Sequence, residues 1–152
     1  MENYMNNYDS PEAFIRAEVL SNRGTDSIVM KNDLLQMAQR VTDEALTKLS
    51  KAELFDLLVE KVGSEVYTMF PVGVSSFCFQ LKFDIDHTAV KRLAKAGVIR
   101  ATGRHRFRLY GKNRYADTYS PYDYFRLTPE EIHAWLEAHP NSKKKSQSPV
   151  ND

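Results

Sequence analysis

At Gly97 the chain changes period. Before it, apolar residues recur at helical spacing, and almost every helix carries its own start and stop signals. After it, in His105-Arg106-Phe107-Arg108-Leu109, apolar and basic residues alternate, with Arg104, Arg106 and Arg108 sharing one strand face. A chain divided in this way is α+β, mainly α, with a small antiparallel β-wing.

The helical part is heavily punctuated. Ser10 before Pro11 starts a helix that runs to about Ser21 on Phe14, Ile15, Ala17 and Val19. Asn22, Arg23 and Gly24 break the pattern, and a loop continues to about Lys31. A second helix is expected from Asn32 to about Leu46, with Leu34, Ala38, Val41 and Ala45 along one stripe. Ser50 and Glu53 form a capping box for a third helix that stops at Gly63. Residues 64–73 read as a connector, with Pro71 and Gly73 as breakers. Ser75 or Ser76 caps a helix through Phe83. Asp84-Ile85-Asp86 makes a tight turn, and Asp86 caps the helix from His87 to Ala96. Gly103 and Gly111-Lys112-Asn113 are the expected hairpin turns, and Phe125-Arg126-Leu127 is an expected third strand. Thr128-Pro129-Glu130-Glu131 is a second capping box, opening a helix that Pro140 ends. The expected organisation is an acidic helical unit at 10–66 and a second unit at 72–139. The tails at 1–9 and 140–152 are too polar to pack and read as disordered.

Charge singles out the second unit. Between Lys82 and Arg114 stand ten Lys/Arg and two acids, a local net charge of +8 in a chain whose total is +1. A concentrated positive patch on a near-neutral protein is the electrostatic footprint of a polyanion partner. The 152 residues, 42% of them hydrophobic, are enough for a packed core. No apolar run reaches the roughly 20 residues of a membrane span. The start MENYMNNYDS lacks the basic and apolar regions of a secretory signal, and Cys78 has no second cysteine to pair with. A cytoplasmic chain without membrane attachment is expected. Catalysis finds no foothold: the four histidines (His87, His105, His133, His139) show no ligand spacing, and there is no Gly-rich phosphate loop. Asp84, Asp86 and His87 are explained by turn and cap roles. No enzyme activity, cofactor or metal is expected.

Residues 74–99, VSSFCFQLKFDIDHTAVKRLAKAGVI, resemble the helix-turn-helix of the MerR-like and excisionase-like families of winged-helix DNA-binding proteins. The resemblance rests on Val74-Ser75, Phe79 and Phe83 four apart, Ile85 in the turn and Asp86 at the cap. It continues with Val90 and Leu93 facing inward and Lys95-Ala96-Gly97-Val98-Ile99 leading into the wing. A basic hairpin and a closing helix, here Arg104–Leu109 and Leu127–Glu137, follow in the families' order, so the resemblance covers residues 74–138. This chain departs from the families at Gln80, where they favour a small residue, and at Asp84, where they favour glycine. Residues 111–126 read as a tyrosine-rich insertion into the wing. The resemblance implies a winged helix-turn-helix in the second unit, and the fold expected is the amino-terminal three-helix unit packed on it.

It also implies a double-stranded DNA-binding protein, a small transcriptional regulator or excisionase-like factor. Helix 87–96 would enter the major groove and offer His87, Thr88, Lys91, Arg92 and Lys95. The basic wing 100–114 would bring Arg100, Arg104, Arg106, Arg108, Lys112 and Arg114 to the backbone. Six to eight phosphate contacts would lower affinity roughly a thousandfold or more between about 50 and 200 mM salt. Two alternatives stand beside this reading. One is a protein-interaction module of a phage or mobile element, an anti-CRISPR-type inhibitor for example. The other is an RNA or single-strand binder that stacks bases on Tyr110, Tyr115, Tyr119, Tyr122 and Tyr124. The helix 76–83 is apolar nearly all round, which calls for burial against the amino-terminal helices on its second side, or for a homodimer interface there.

Overall fold

The computed structural model describes residues 3–21 and 27–140. Helix α1 (Pro11–Leu20) begins as its sequence requires, with the Ser10 hydroxyl accepting from the Ala13 N–H at 3.1 Å and Pro11 at the first position. Helix α3 (Lys51–Val62) is closed by the reciprocal Ser50–Glu53 bonds of 3.1 and 2.8 Å and ends at Gly63, at φ 99°. The Arg16 guanidinium grips both oxygens of Asp56 (3.3 and 3.2 Å) and ties α1 to α3.

Helix α2 (Lys31–Gln39) is shorter than the expected 32–46. Val41 and Ala45, placed on a buried stripe by their spacing, are exposed. The Thr42 hydroxyl accepts from the Glu44 N–H at 3.3 Å, a local bond that competes with the helical ladder, while Leu46 reaches the core from irregular chain. The amino-terminal stretch is also corrected: residues 3–9 are not a loose tail. Tyr4–Asn7 form a 3-10 turn that Asn3 caps at the Met5 N–H (3.0 Å), and Met5 is 1% exposed. The expected chain break at Asn22-Arg23-Gly24 and the tail from 141 onward lie outside the described residues.

A two-residue strand, β1 (Val74–Ser75), precedes α4 (Ser76–Phe83), which the Ser75 hydroxyl caps. Asp84 then takes the left-handed conformation (φ 55°, ψ 57°), which Asp tolerates better than most residues and which the families' glycine would take freely. Asp86 caps α5 (His87–Lys95) with a 2.8 Å bond to the Ala89 N–H. Strands β2 (Ala101–Leu109) and β3 (Lys112–Tyr119) form an antiparallel hairpin, and β1 pairs with the far end of β3, giving the order β1-β3-β2.

Three expectations about this region change. The hairpin turns at Tyr110-Gly111, whose positive φ values of 52° and 74° make a type I′ connection, so Lys112 and Asn113 already belong to β3. Gly103 is no turn; it lies inside β2, where the register slips between Ala101 and Gly103. Phe125-Arg126-Leu127 is no strand, because Ser120 as N-cap and Pro121 at the first position set up helix α6 (Pro121–Arg126). Residues 111–126 are therefore the returning strand of the hairpin and the helix after it. Helix α7 (Pro129–Ala138) opens on the Thr128–Glu131 capping box, with bonds of 3.1 and 2.9 Å. The described residues form a mainly helical α+β fold with one three-stranded antiparallel sheet.

The buried side chains make one continuous cluster from Met5 to Ile132. Phe79 is its aromatic hub, meeting Tyr119 edge-on at 5.6 Å, Tyr124 edge-on at 5.2 Å and Phe83 at 5.7 Å. Tyr119 and Tyr124 are thus core residues. Helix α4 buries Cys78, Phe79 and Phe83 within the chain, while Phe77 and Leu81 remain 43% and 38% exposed. Gln80 finds a partner on its own helix, donating to the Ser76 hydroxyl at 3.1 Å. On α6, burial first and the Glu12 carboxylate of α1 second push the Tyr122 phenol up to about 12.

Phe79→Ala should cost about 3–5 kcal/mol in chemical denaturation, since it empties the hub without relieving any strain. Tyr122 keeps its proton in the folded state above pH 10, where an unfolded tyrosine loses its own. Its contribution to stability is therefore full below about pH 10 and lost as the pH rises toward 12. Denaturation midpoints measured from pH 9 to 11 should fall less steeply in Tyr122→Phe than in the parent.

Candidate nucleic-acid interface

Helix α5 is sharply two-sided. Val90 and Leu93 are fully buried, whereas His87, Thr88, Lys91 and Lys95 are all exposed. At about 100° per residue these four lie within an arc of roughly 100° on the outer face. His87 at the amino end shares a 2.9 Å hydrogen bond with the Ser76 hydroxyl, which holds its ring against the start of α4. Arg92 leaves the row. Its guanidinium donates to the His139 carbonyl at the end of α7, so it fastens two helices and is only partly exposed. A further link runs from α7 to α4, where the His133 Nε2 meets the Phe83 carbonyl at 2.6 Å.

The β2–β3 hairpin separates its cations between two faces. Opposed residues of an antiparallel pair share a face, and the register sets Arg104 opposite Asp117, Arg106 opposite Tyr115 and Arg108 opposite Asn113. The other face carries His105 opposite Ala116 and Leu109 opposite Lys112, with Arg114 on the same side. Of the eleven residues expected at the interface, Lys112 and Arg114 therefore stand back to back with Arg104, Arg106 and Arg108. Arg100 is exposed at the entry to the wing, where its backbone N–H donates to Asp123 at 2.9 Å.

The arginine face borders a cleft of about 1210 Å³ whose opposite wall comes from the amino-terminal part of the chain, with Tyr4, Tyr8 and Glu18. Arg104 spans the Tyr115 ring at 5.3 Å and lies 3.8 Å from Asp117, both exposed, so this ion pair is weak. Tyr4 presents a half-exposed ring while its hydroxyl end meets Ser75 and Cys78. Burial there, with Cys78 beside it, holds the phenol well above its ordinary range. The floor is formed where Gly73 crosses the base of the hairpin: a Cβ at that position would overlap the hydroxyls of Thr102 and Thr118, which are themselves hydrogen-bonded at 3.3 Å.

Tyr4 and Tyr8 escaped the reading of the sequence because the first nine residues look too polar to pack, and Glu18 because nothing local marks the outer face of the first helix as a cleft wall. The available signal was Tyr4, Met5 and Tyr8, apolar bodies one turn apart in an otherwise polar stretch. At the far end of the hairpin Tyr110 is 91% exposed in a left-handed conformation that costs a bulky residue about 1–2 kcal/mol. Among the described residues no group of three or more His, Cys, Asp or Glu is placed to hold a metal, and no helix is long and apolar enough to cross a membrane. Comparison with protein-family models, curated proteins and solved structures finds no match to this chain.

Gly73→Ala should destabilise the hairpin base without touching any cation. Its amide protons in β3 should exchange faster by hydrogen exchange, and its melting temperature should drop, while Gly63→Ala should leave the β3 amides protected, since no neighbour lies near that site.

Proposed function

We propose that the chain is a winged helix-turn-helix protein that binds double-stranded DNA, with α5 in the major groove and the β2–β3 hairpin as the wing. The observation that carries the reading is the pairing of Val74–Ser75 with Thr118–Tyr119. It ties the short strand before a two-helix unit to the returning arm of a basic hairpin, which is the wiring of a winged helix. The outward row on α5 supports it further, because an exposed arc of His87, Thr88, Lys91 and Lys95 has the size and chemistry of a groove-reading face. Lys91 and Lys95, with Arg100, Lys112 and Arg114 on the hairpin side, are the exposed cations available to phosphates. Arg92 acts as a structural clamp on α7 in this scheme.

Five phosphate contacts imply that duplex affinity falls several hundredfold, to order of magnitude, between about 50 and 200 mM salt. A salt-titrated gel shift on random duplex DNA measures that slope. Lys91→Ala with Lys95→Ala should lower duplex affinity at least tenfold and flatten the slope by about two contacts while leaving the melting temperature unchanged. Parental affinity in that double variant would remove α5 from the interface.

A further inference from the structure

The arginines of the wing face away from Lys112 and Arg114 and toward the amino-terminal wall of the cleft, so one flat DNA surface does not engage both faces of the hairpin. We propose that this cleft is a second binding site, for a short run of single-stranded nucleic acid.

Four features of the cleft select that ligand. The first is period. Arg104, Arg106 and Arg108 are alternate residues of one strand, so they recur about every 6.6–6.8 Å, close to the step between consecutive phosphates of an extended nucleic-acid strand. A guanidinium is a planar fork that grips phosphate through two donors, and three in a row form a ladder for a repeating anion. The second is stacking surface. Tyr4, half-exposed, and Tyr8 line the cleft with the arginines, and Tyr115, 54% exposed and spanned by Arg104, stands on the arginine face. Every base has a π-face, so such rings hold single strands whatever their sequence.

The third feature is charge. Three guanidinium groups line the cleft against two carboxylates, that of Glu18 and that of Asp117 beside Arg104, leaving it net positive. The fourth is size. At about 1210 Å³ the cleft exceeds the roughly 300–1,000 Å³ of a typical small-molecule pocket and suits two or three nucleotides laid along the strand. A paired duplex hides its bases from these rings, so the site is specific for unpaired strand, and it is independent of the row on α5.

The test is fluorescence anisotropy on the full chain with three labelled probes: a twelve-nucleotide oligothymidylate, the matching oligouridylate and a duplex of random sequence. Arg104→Ala, Arg106→Ala and Arg108→Ala are combined in one variant, and Lys91→Ala with Lys95→Ala in another. All five side chains are exposed, and a thermal melt confirms that each variant folds. The arginine variant should lose at least tenfold in affinity for a single-stranded probe and less than threefold for duplex, and the lysine variant should show the reverse. Glu18→Gln should tighten single-strand binding at least twofold. Arginine-dependent binding of either single-stranded probe supports the site, and the tighter of the two identifies the strand. Single-strand affinity unchanged in the arginine variant, or no single-strand binding by the parent at 50 mM salt, overturns it. Equal losses on all probes in both variants would overturn the separation into two sites. Loss of duplex binding in the lysine variant alone bears only on the α5 interface.

Discussion

The ring of Phe79 belongs to α4, yet it is enclosed by Tyr119 from the end of β3 and Tyr124 from α6, with Phe83 one turn away. Each of these aromatic contacts adds about 0.5–1.5 kcal/mol to the burial of the rings. Their larger effect is positional. With α4 held, the left-handed turn at Asp84 and the cap at Asp86 set the direction of α5, and with it the outward row of His87, Thr88, Lys91 and Lys95. With Tyr119 held, the base of the hairpin has one position, and the rest of the wing extends from it. The two basic surfaces of the molecule are therefore aimed by a single cluster that contains no cation.

That arrangement explains how one stretch of sequence with a net charge of +8 serves surfaces with different chemistry. The α5 row carries two exposed lysines, compact charges on flexible stems. The cleft face of the wing is concave and carries three arginines at fixed spacing, opposite tyrosine rings. Arg92 is withdrawn from both surfaces to satisfy the carbonyl at the end of α7.

Much of the fold was legible because helix caps are local. Ser10, Ser50 with Glu53, Asp86, and Thr128 with Glu131 each place a helix start within a few residues of sequence, and all four stand where their spacing puts them. What could not be read was long-range. Strand β1 is two residues long and exists only because Tyr119, forty-five positions later, offers it a partner. The alternating Phe125-Arg126-Leu127 looks like a strand in isolation, and only the Ser120-Pro121 start before it makes it the end of a helix. Alternation placed Arg104, Arg106 and Arg108 on one face correctly, but nothing local indicated that this face would look across at Tyr4 and Tyr8. The same applies to Arg92, whose outward spacing is genuine and whose partner lies forty-seven residues away.

Gly73, Thr102 and Thr118 meet at the base of the hairpin, and from residue 104 to residue 117 its side chains are exposed wherever they are described. Mechanically this is an arm clamped at one end, about 25 Å long at the usual rise per residue. A few degrees of twist at the clamp translate into ångströms at Tyr110. The three small residues at the base thus act as a fulcrum, setting how wide the mouth of the cleft stands from its floor.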